Sequence, residues 1–477
     1  MKKFFVLLLL LTGCFRGDHE DSLVDIGKTD LVESIAYADG SIEIVEKIPE
    51  DWWTVFGDSQ LNWLIEAALA SNPTIREAEH RVCLAYEVAL EARAKLLPYL
   101  DGFGEAEREK LSLYGFGLPG FIPLIAPLNR NYSLITLLLR GSWEIDLWGR
   151  NRNLYQSRLS ETTATCADLL EAKLILSTSI ATAYFSLQSH LKQLEILKKE
   201  VDDKELVVKL LKQRFQKGIA DEFFVYQEDS KLASVQDALK RMQGMIQLDK
   251  HALSALVSNA ATICDLNAEI SATPSALHDE AFPLPVSLPI DLIARRPDIR
   301  AAIWRIDAMS RRVKVAKARF LPSIDLFAAA GFISFFWGNV IQTQSFNYDA
   351  GGNSVLPIYT GGELSARLGQ SQEELEIAVQ QYNHTILQAV KEVADALSEL
   401  KTADERKKEI ERALGDAQAL LHLTNQKYQR GIDTAVSQLN AQSNVFMQEL
   451  VLEEIALARM EAIVATIRAV GGGYVRD

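Results

Sequence analysis

The chain carries an internal duplication, and this feature constrains its fold more than any other. The string ARAKLLPYLD at 92–101 is matched by AKARFLPSID at 316–325, and in both a helix-like segment ends at Leu-Pro. Farther along, RFQKGIADEFFVYQED at 214–229 is matched by KYQRGIDTAVSQLNAQ at 427–442. A duplication of this kind outweighs local propensity in deciding a fold. It predicts, in each half, a helix, a β-hairpin, a very long helix, a glycine turn and a further helix.

Both halves contain long stretches without proline that have the periodicity of a coiled coil. No proline occurs between Pro127 and Pro274 or after Pro357. A single helix over 154–217 would be roughly 95 Å long at 1.5 Å per residue, which globular domains rarely need. Apolar residues recur at alternating spacings of 4 and 3, which is typical of a coiled-coil seam. They are Ile180, Tyr184, Leu187, Leu191 and Leu194 in the first half, and Tyr382, Ile386, Ala389, Val393, Ala396, Leu400 and Ala403 in the second.

The segments between these helices set the predicted boundaries. Residues 97–147 are rich in Gly, Pro and aromatic residues, and their later part, NYSLITLLLRGSWEIDLW, has the composition of a strand. The predicted order is a signal peptide at 1–13, a lipidated tether at 14–50, a first repeat at 51–265, a Pro-rich linker at 266–290, a second repeat at 291–470 and a tail at 471–477. In the first repeat, the hairpin is predicted at about 97–147 and the long helices over 150–258. In the second, the hairpin is predicted at about 321–360 and the long helices over 361–470.

The first residues have the pattern of a lipoprotein signal. Two lysines precede an apolar stretch too short to span a bilayer, and the stretch ends Leu11-Thr12-Gly13-Cys14, which resembles a bacterial lipobox. The lipobox interpretation predicts cleavage between Gly13 and Cys14 and acylation of Cys14. Phe15 would follow the lipidated cysteine, and the absence of Asp there points to the outer membrane. The alternative is an incidental thiol in an ordinary secretion signal.

Composition excludes several classes of protein. A net charge of −14 over 477 residues argues against a nucleic-acid partner. The four cysteines, at 14, 83, 166 and 264, form no C-x-x-C pair, which argues against a zinc site. Beyond the signal there is no run of eighteen apolar residues, so any membrane crossing would need a closed β-barrel.

Catalytic motifs are also missing from the sequence. There is no G-x-S-x-G, no H-E-x-x-H and no phosphate-binding loop, and the seven histidines are scattered. The many carboxylates lie in charged helical segments, for which a solvated face is the default interpretation. The sequence therefore predicts that the chain is not an enzyme.

The chain resembles the TolC-like outer-membrane efflux proteins, in the lipidated branch that serves resistance-nodulation-division (RND) pumps. The motif LIARRPDIRAA, within LPIDLIARRPDIRAAIW at 288–304, is the most specific part of the resemblance. Pro297 and Asp298 of this motif suit the first turn of a helix, so the motif is interpreted as structural. Further support comes from the lipobox, from both Leu-Pro sites, from the two F/Y-Q-K/R-G-I turns, from WWTVFGDSQLNWLIEAALASNP at 52–73 and from LPIYTGGELSAR at 356–367.

The resemblance implies a fold class, partners and a location. The fold would be mainly α with a membrane β-barrel: a long α-helical coiled-coil barrel plus four β-strands per protomer, with a homotrimer closing twelve strands. The implied partners are a periplasmic adaptor, an inner-membrane RND pump and outer-membrane lipid, with no cofactor. The protein would be a passive exit duct in the outer membrane, lipid-anchored on the periplasmic side, with its helices reaching into the periplasm.

By the same resemblance, the turns at Gly218 and Gly431 form the periplasmic tip. The family usually places acidic side chains six and nine residues past the second glycine, where this chain has Ser437 and Asn440. These two are predicted to form a polar, uncharged gate, with Asp433 as the nearest carboxylate. The alternative is that both are ordinary exposed polar residues of a helix.

Other interpretations stay open at this point. A periplasmic coiled-coil lipoprotein, acting as scaffold or adaptor, explains the lipid and the helices but not the two matched hairpins. Aromatic residues at 52, 53 and 56 are predicted to pack on the helical body and not to bind a ligand. Tyr132, Trp143 and Trp148 suit either a membrane interface or packing.

Overall fold

The structure, a computed structural model, describes residues 51–110, 131–257 and 295–472. The predicted signal peptide with Gly13 and Cys14, the tether, the Pro-rich linker and Cys264 lie outside the described residues. Within them, seven α-helices and four strands follow one another in two similar series. The first series comprises α1 (Ser59–Ser71), α2 (Pro73–Ala94), β1 (Tyr99–Lys110), β2 (Asn131–Glu144), α3 (Arg150–Gln216) and α4 (Glu222–Val257). The second comprises α5 (Pro297–Ala318), β3 (Ser323–Ser334), β4 (Phe346–Val355), α6 (Glu363–Gln429) and α7 (Ala435–Ala469).

The duplication predicted from sequence is visible in the elements. The helices α3 and α6 each contain 67 residues, and α4 and α7 contain 36 and 35. The strands form one antiparallel sheet in the order β1-β2-β3-β4, so the pairing of β2 with β3 joins the two hairpins. The predicted fold class of long helices with four strands per chain is therefore confirmed.

Two compact units divide the described residues. The strand unit comprises 82–110, 131–164 and 303–379, and contains the whole sheet. The helical unit comprises 51–81, 165–257, 295–302 and 380–472. No helix in the described ranges has the sustained apolar stretch that a membrane crossing requires.

The core of the helical unit confirms the predicted coiled-coil seams. In the first half, Ile180, Tyr184 and Leu187 are at most 1% exposed, and Leu191 and Leu194 pack beside them. The seam of the second half is buried from its second residue onward, at Ile386, Ala389, Val393, Ala396, Leu400 and Ala403. The alanines among these residues have small side chains, which allow helices to approach closely.

The N-terminal aromatic residues belong to the same core, as predicted. A short 3₁₀ helix, Trp52–Phe56, buries Trp52, Trp53 and Phe56, and the Trp52 indole Nε1 donates to Ser177 Oγ at 3.3 Å. Asp58 then caps α1 by accepting from the backbone N–H of Gln60, and it also accepts from the Tyr184 hydroxyl at 2.7 Å. Trp52, Trp53 and Phe56 are at most 5% exposed, so their rings pack in the core, as predicted.

Candidate functional site: the sheet faces and the paired helix turns

One face of the sheet is apolar. Residues paired across antiparallel strands point to the same side, so the register defines each face. Leu137 pairs with Gly104 and Phe332, and Leu139 pairs with Gly102 and Ala330. The apolar face consists of Leu100, Gly102, Gly104 and Ala106 on β1; Ile135, Leu137, Leu139, Gly141 and Trp143 on β2; Leu326, Ala328, Ala330 and Phe332 on β3; and Phe346, Tyr348, Ala350 and Gly352 on β4. On the same side, the outer end of the first hairpin is polar, with Arg108 and Lys110 opposite Ser133 and Asn131. Several of its large side chains are exposed, among them Leu139 at 54%.

The opposite face is acidic. Glu105, Glu107 and Glu109 occupy alternate positions of β1, and the register places them on the side facing away from Leu137 and Leu139. The one arginine of this face, Arg140, pairs with Asp101 at 2.5 Å and lies over the Phe103 ring at 4.0 Å. The charged residues of this acidic face are Asp101, Glu105, Glu107, Glu109, Arg140, Glu144, Asp325 and Asp349. This face was not predicted from the sequence, although the regular alternation of Glu with Gly, Ala and Arg in GEAERE at 104–109 indicates that the three glutamates share one side of a strand.

The aromatic residues Tyr132, Trp143 and Trp148, which the sequence suggests for a membrane interface, do not all lie on the same face of the sheet. Trp143 and Trp148 are 40% and 47% exposed, and their indole N–H groups donate to the backbone carbonyls of Leu96 and Pro322. Tyr132 lies on the acidic face, where its hydroxyl donates to Glu109. Tyr132 therefore faces the polar side of the sheet, whereas Trp143 belongs to the apolar face.

The two glycine turns have the same hydrogen-bond geometry. Gly218 and Gly431 both have φ of 72°, a left-handed conformation that glycine adopts without strain. Gly218 N–H donates to Phe215 O at 2.8 Å, and the following N–H donates to Arg214 O at 2.9 Å. At the second turn, Gly431 N–H donates to Tyr428 O and the following N–H donates to Lys427 O, both at 2.9 Å. Each turn is thus a Schellman motif that ends a 67-residue helix.

The predicted gate residues follow the second turn. Thr434 caps α7 by accepting from the Ser437 backbone N–H at 3.3 Å. Hydrogen bonds from the Ser437 side chain and from the Thr434 backbone N–H lower the pKa of the Asp433 carboxyl. The structure thus brings Asp433 and Ser437 together. Asn440 lies one turn farther along α7 and is exposed.

Buried charges beside Asn440 were not anticipated from the sequence. Lys204 of α3 is 6% exposed, and its Nζ donates to Asn440 Oδ1 at 3.2 Å. The same Nζ lies 3.5 Å from Glu228 Oε2 on α4, and Glu228 is 5% exposed. One turn earlier on α3, Glu200 accepts from Ser443 Oγ of α7 at 3.0 Å. A sequence signal for these buried charges exists on α3, where a second set of residues recurs at spacings of 3 and 4 and so shares one helix face. These residues are Leu197, Glu200, Lys204, Val207 and Leu211, and all of them are buried.

A further buried cluster surrounds the ARRPD motif. The helix α5 begins at Pro297, and Asp298 lies in its first turn as predicted. The Arg296 side chain is 6% exposed and donates through Nε and Nη2 to the two Asp298 oxygens, at 3.1 and 2.8 Å. It also reaches Glu392 Oε2 of α6 at 2.9 Å and the carbonyl of Ala469, the last residue of α7, at 2.9 Å. Arg296 therefore links the start of α5 to α6 and α7.

A carboxyl on α3 shares the electrostatic environment of this cluster. Burial raises the pKa of Glu171 to about 7, and the negative charges of Asp298 and Glu392 add to that increase. Arg296 and Arg468 oppose it. Protonation of Glu171 is thereby coupled to the ion pairs of Arg296.

Two very long helices and one four-stranded sheet with an apolar and an acidic face are the features that characterise this chain. A sequence model of the outer membrane efflux protein family matches residues 64–259 and 288–472. The chain belongs to this family.

Individual relatives agree with that assignment over nearly the full chain. MdtQ of Escherichia coli O157:H7, named a multidrug resistance outer membrane protein, is 26% identical over 99% of this chain and 98% of its own length. The outer membrane protein VceC of Vibrio cholerae matches with a TM-score of 0.78 and 30% identity, over 88% of this chain and 98% of VceC. The CmeC outer membrane channel of Campylobacter jejuni matches the fold with a TM-score of 0.84 at 22% identity, over 97% of this chain and 95% of CmeC.

These matches confirm the predicted family, the function in outer-membrane efflux and the location in the outer membrane. The family is one of transport proteins. The interpretation as a periplasmic scaffold is not favoured, because the relatives are outer membrane proteins and the hairpins form one continuous sheet. The lipid anchor, the trimer, the gate and the pump remain predictions.

Proposed function

We propose that this chain is the outer-membrane exit duct of a tripartite efflux system and conducts substrates passively from a periplasmic adaptor and an inner-membrane RND pump. The main support for this proposal is that apolar residues lie on one face of the sheet and acidic residues on the other. The apolar face runs on β2 from Ile135 to Trp143, nine positions, which is roughly 30 Å at about 3.4 Å per residue. This length is close to the apolar band of about 25 Å in outer-membrane barrels. The acidic face would line a water-filled lumen.

The sheet supports a homotrimer. In the described residues β1 and β4 each pair with only one other strand. Open strand edges are not tolerated in lipid, because their backbone groups would lose water without gaining partners. Three copies would close a twelve-stranded barrel, with β1 of one copy beside β4 of the next.

Planar-bilayer recording of the detergent-extracted protein tests the proposal. We expect stable channels, and a native mass corresponding to three chains. A protein that stays monomeric in detergent and produces no conductance would contradict both the duct and the trimer. MdtQ is named for multidrug resistance, which supports drugs as cargo, and the duct itself is proposed to leave the choice of substrate to the pump.

The lipid anchor is proposed at Cys14, which follows Leu11, Thr12 and Gly13. Replacing Cys14 by Ser should abolish acylation and leave precursor that is uncut or slowly processed. We expect the barrel to insert without the anchor, so transport should be reduced but not lost. The measurement is mass spectrometry of the mature N-terminus. An unmodified N-terminal residue in the parent protein would contradict the anchor.

The gate is proposed at Ser437 and Asn440, which threefold symmetry would gather into polar rings. Replacing Asn440 by Asp should raise cation selectivity and introduce block by multivalent cations from the periplasmic side, because a ring of carboxylates attracts cations. Lys204 contacts the Asn440 side chain, so part of the new charge should be neutralised and the gain in selectivity should be moderate. Reversal potentials in planar bilayers measure the effect.

A matched control for the gate is Gln247→Glu, which adds a carboxylate at an exposed position of α4. It should leave selectivity unchanged. If Asn440→Asp also leaves selectivity and block unchanged while the channel still conducts, Asn440 does not line the constriction.

A further inference from the structure

A cavity of about 470 Å³ lies where the strands of the strand unit meet its helices. The end of β2, the start of α3, the end of α5, the start of β3, the end of β4 and the start of α6 all contribute to its wall. Its lining includes three arginines, Arg150, Arg319 and Arg367. The size suits a small polar group such as a lipid headgroup.

The carboxylates that line the cavity are already engaged. Glu144 pairs with Arg150. Asp146 caps α3 by accepting from the backbone N–H groups of Asn151 and Arg152, at 3.2 and 2.7 Å. Within the described residues, neither carboxylate forms an ion pair with the two remaining arginines of the wall.

The guanidinium groups of Arg319 and Arg367 are available to an anion. Arg319 forms no ion pair within the described residues. Arg367 pairs with Glu363 on the same helix, and both side chains are more than half exposed, at 52% and 58%. Exposed pairs of this kind contribute little free energy and exchange easily. Guanidinium groups bind phosphate oxygens through two parallel hydrogen bonds, so two arginines that line one cavity suit a phosphate.

Exposed apolar side chains lie at the same end of the sheet. Trp148 and Leu321 line the cavity and are 47% and 43% exposed. The chain leaving β4 adds Leu356, Ile358 and Tyr359, which are 56%, 92% and 90% exposed. We call these five residues the apolar collar. Water is an unfavourable environment for so much apolar surface, whereas the acyl chains of a lipid would cover it.

The apolar collar favours a phospholipid over inorganic phosphate as the ligand of the cavity. Inorganic phosphate would satisfy the arginines but leave the collar in water. A phospholipid satisfies both, because its headgroup and its acyl chains are joined in one molecule. This step rests on the proposed function, in which the strand ends that lead into α3 and α6 lie at the periplasmic boundary of the membrane.

We propose that this cavity binds the headgroup phosphate of a phospholipid from the periplasmic leaflet. Arg319 and Arg367 hold the phosphate, and the acyl chains lie along the apolar collar. The site fixes the depth of the sheet in the bilayer at the level where the strands give way to the long helices.

Native mass spectrometry of the full-length protein in detergent tests the assignment, with phosphatidylglycerol as the probe and diacylglycerol of the same chains as the uncharged comparison. We expect the protein to retain one phosphatidylglycerol per chain and little diacylglycerol. The double variant Arg319→Gln with Arg367→Gln should bind phosphatidylglycerol about tenfold more weakly, as expected for the loss of charge-assisted hydrogen bonds. Arg319→Lys, which keeps the charge but loses the paired hydrogen bonds of the guanidinium, should bind phosphatidylglycerol more weakly than the parent and more tightly than the double variant.

The matched control is Arg412→Gln, which removes an exposed arginine paired with Glu409 on the same helix as Arg367. It should bind lipid like the parent. Equal lipid binding by a trimeric double variant overturns the assignment, and displacement of the lipid by equimolar inorganic phosphate shows a site for a free anion and overturns it as well. The same spectra report the number of chains, so a monomer contradicts the proposed trimer separately from the lipid site.

Discussion

Replacing Arg296 by Gln is expected to lower the free energy of unfolding by about 3–5 kcal/mol, the usual cost of removing one partner from a buried ion pair. The Arg296 side chain is 6% exposed, forms ion pairs with Asp298 and Glu392, and donates a hydrogen bond to the Ala469 carbonyl. Without it, the carboxylates of Asp298 and Glu392 lose their ion-pair partner and the Ala469 carbonyl loses a donor. The measurement is the guanidinium midpoint for loss of helical circular dichroism in the detergent-extracted protein.

The neighbouring arginine provides the control for this result. Arg295 stands beside Arg296 in the sequence but is exposed. Arg295→Gln should change stability by no more than about 0.5 kcal/mol, as surface substitutions usually do. Equal effects of the two substitutions would show that the ion pairs of Arg296 do not stabilise the fold.

Replacing Glu171 by Gln is expected to stabilise the protein above neutral pH. The folded protein holds this carboxyl with a pKa of about 7, against 4.5 for the ordinary group. The folded state therefore binds the proton more tightly, and its stability falls as the pH rises from 4.5 to 7. Above pH 7 the parent carries a cost of about 3 kcal/mol, from about 1.4 kcal/mol per unit of pKa difference. Glutamine mimics the protonated group and removes that cost.

Unfolding midpoints of parent and Glu171→Gln at pH 8 and near pH 4.5 measure this effect. The variant should be more stable at pH 8, and the difference should approach zero at the lower pH. Glu195→Gln, at an exposed position of the same helix, is the control and should leave the pH profile unchanged. A parallel shift of the Glu171→Gln profile at every pH would contradict the coupling between protonation and stability.

The two substitutions should not be additive. Arg296 lowers the pKa of Glu171. In Arg296→Gln the pKa of Glu171 should therefore be higher than in the parent, and the loss of stability with rising pH should extend to higher pH. The double variant should be more stable at pH 8 than the sum of the single effects predicts, since residues of one electrostatic cluster couple.

The sequence by itself determined the features that arise from local periodicity. The alternating 4 and 3 spacing from Tyr382 to Ala403 predicted a buried stripe, because a helix returns to the same face at that interval. The two Gly-Ile turns predicted helix ends, because glycine alone adopts their left-handed conformation without strain. Repetition of these signals in both halves predicted the order of elements, and the motifs in that order predicted the family.

The tertiary structure decided which distant residues meet. No sequence pattern around Arg296 indicates that it binds Glu392 and the Ala469 carbonyl. Likewise, no pattern around Lys204 in the first half indicates its hydrogen bond to Asn440 in the second. The pairing of β2 with β3, which turns two hairpins into one sheet with an apolar and an acidic face, is likewise non-local. The physical reason is that a buried charge is tolerated only where partners from other elements surround it, and those partners are set by helix and strand packing. Local sequence fixes which face of an element is apolar, whereas packing alone fixes what that face meets.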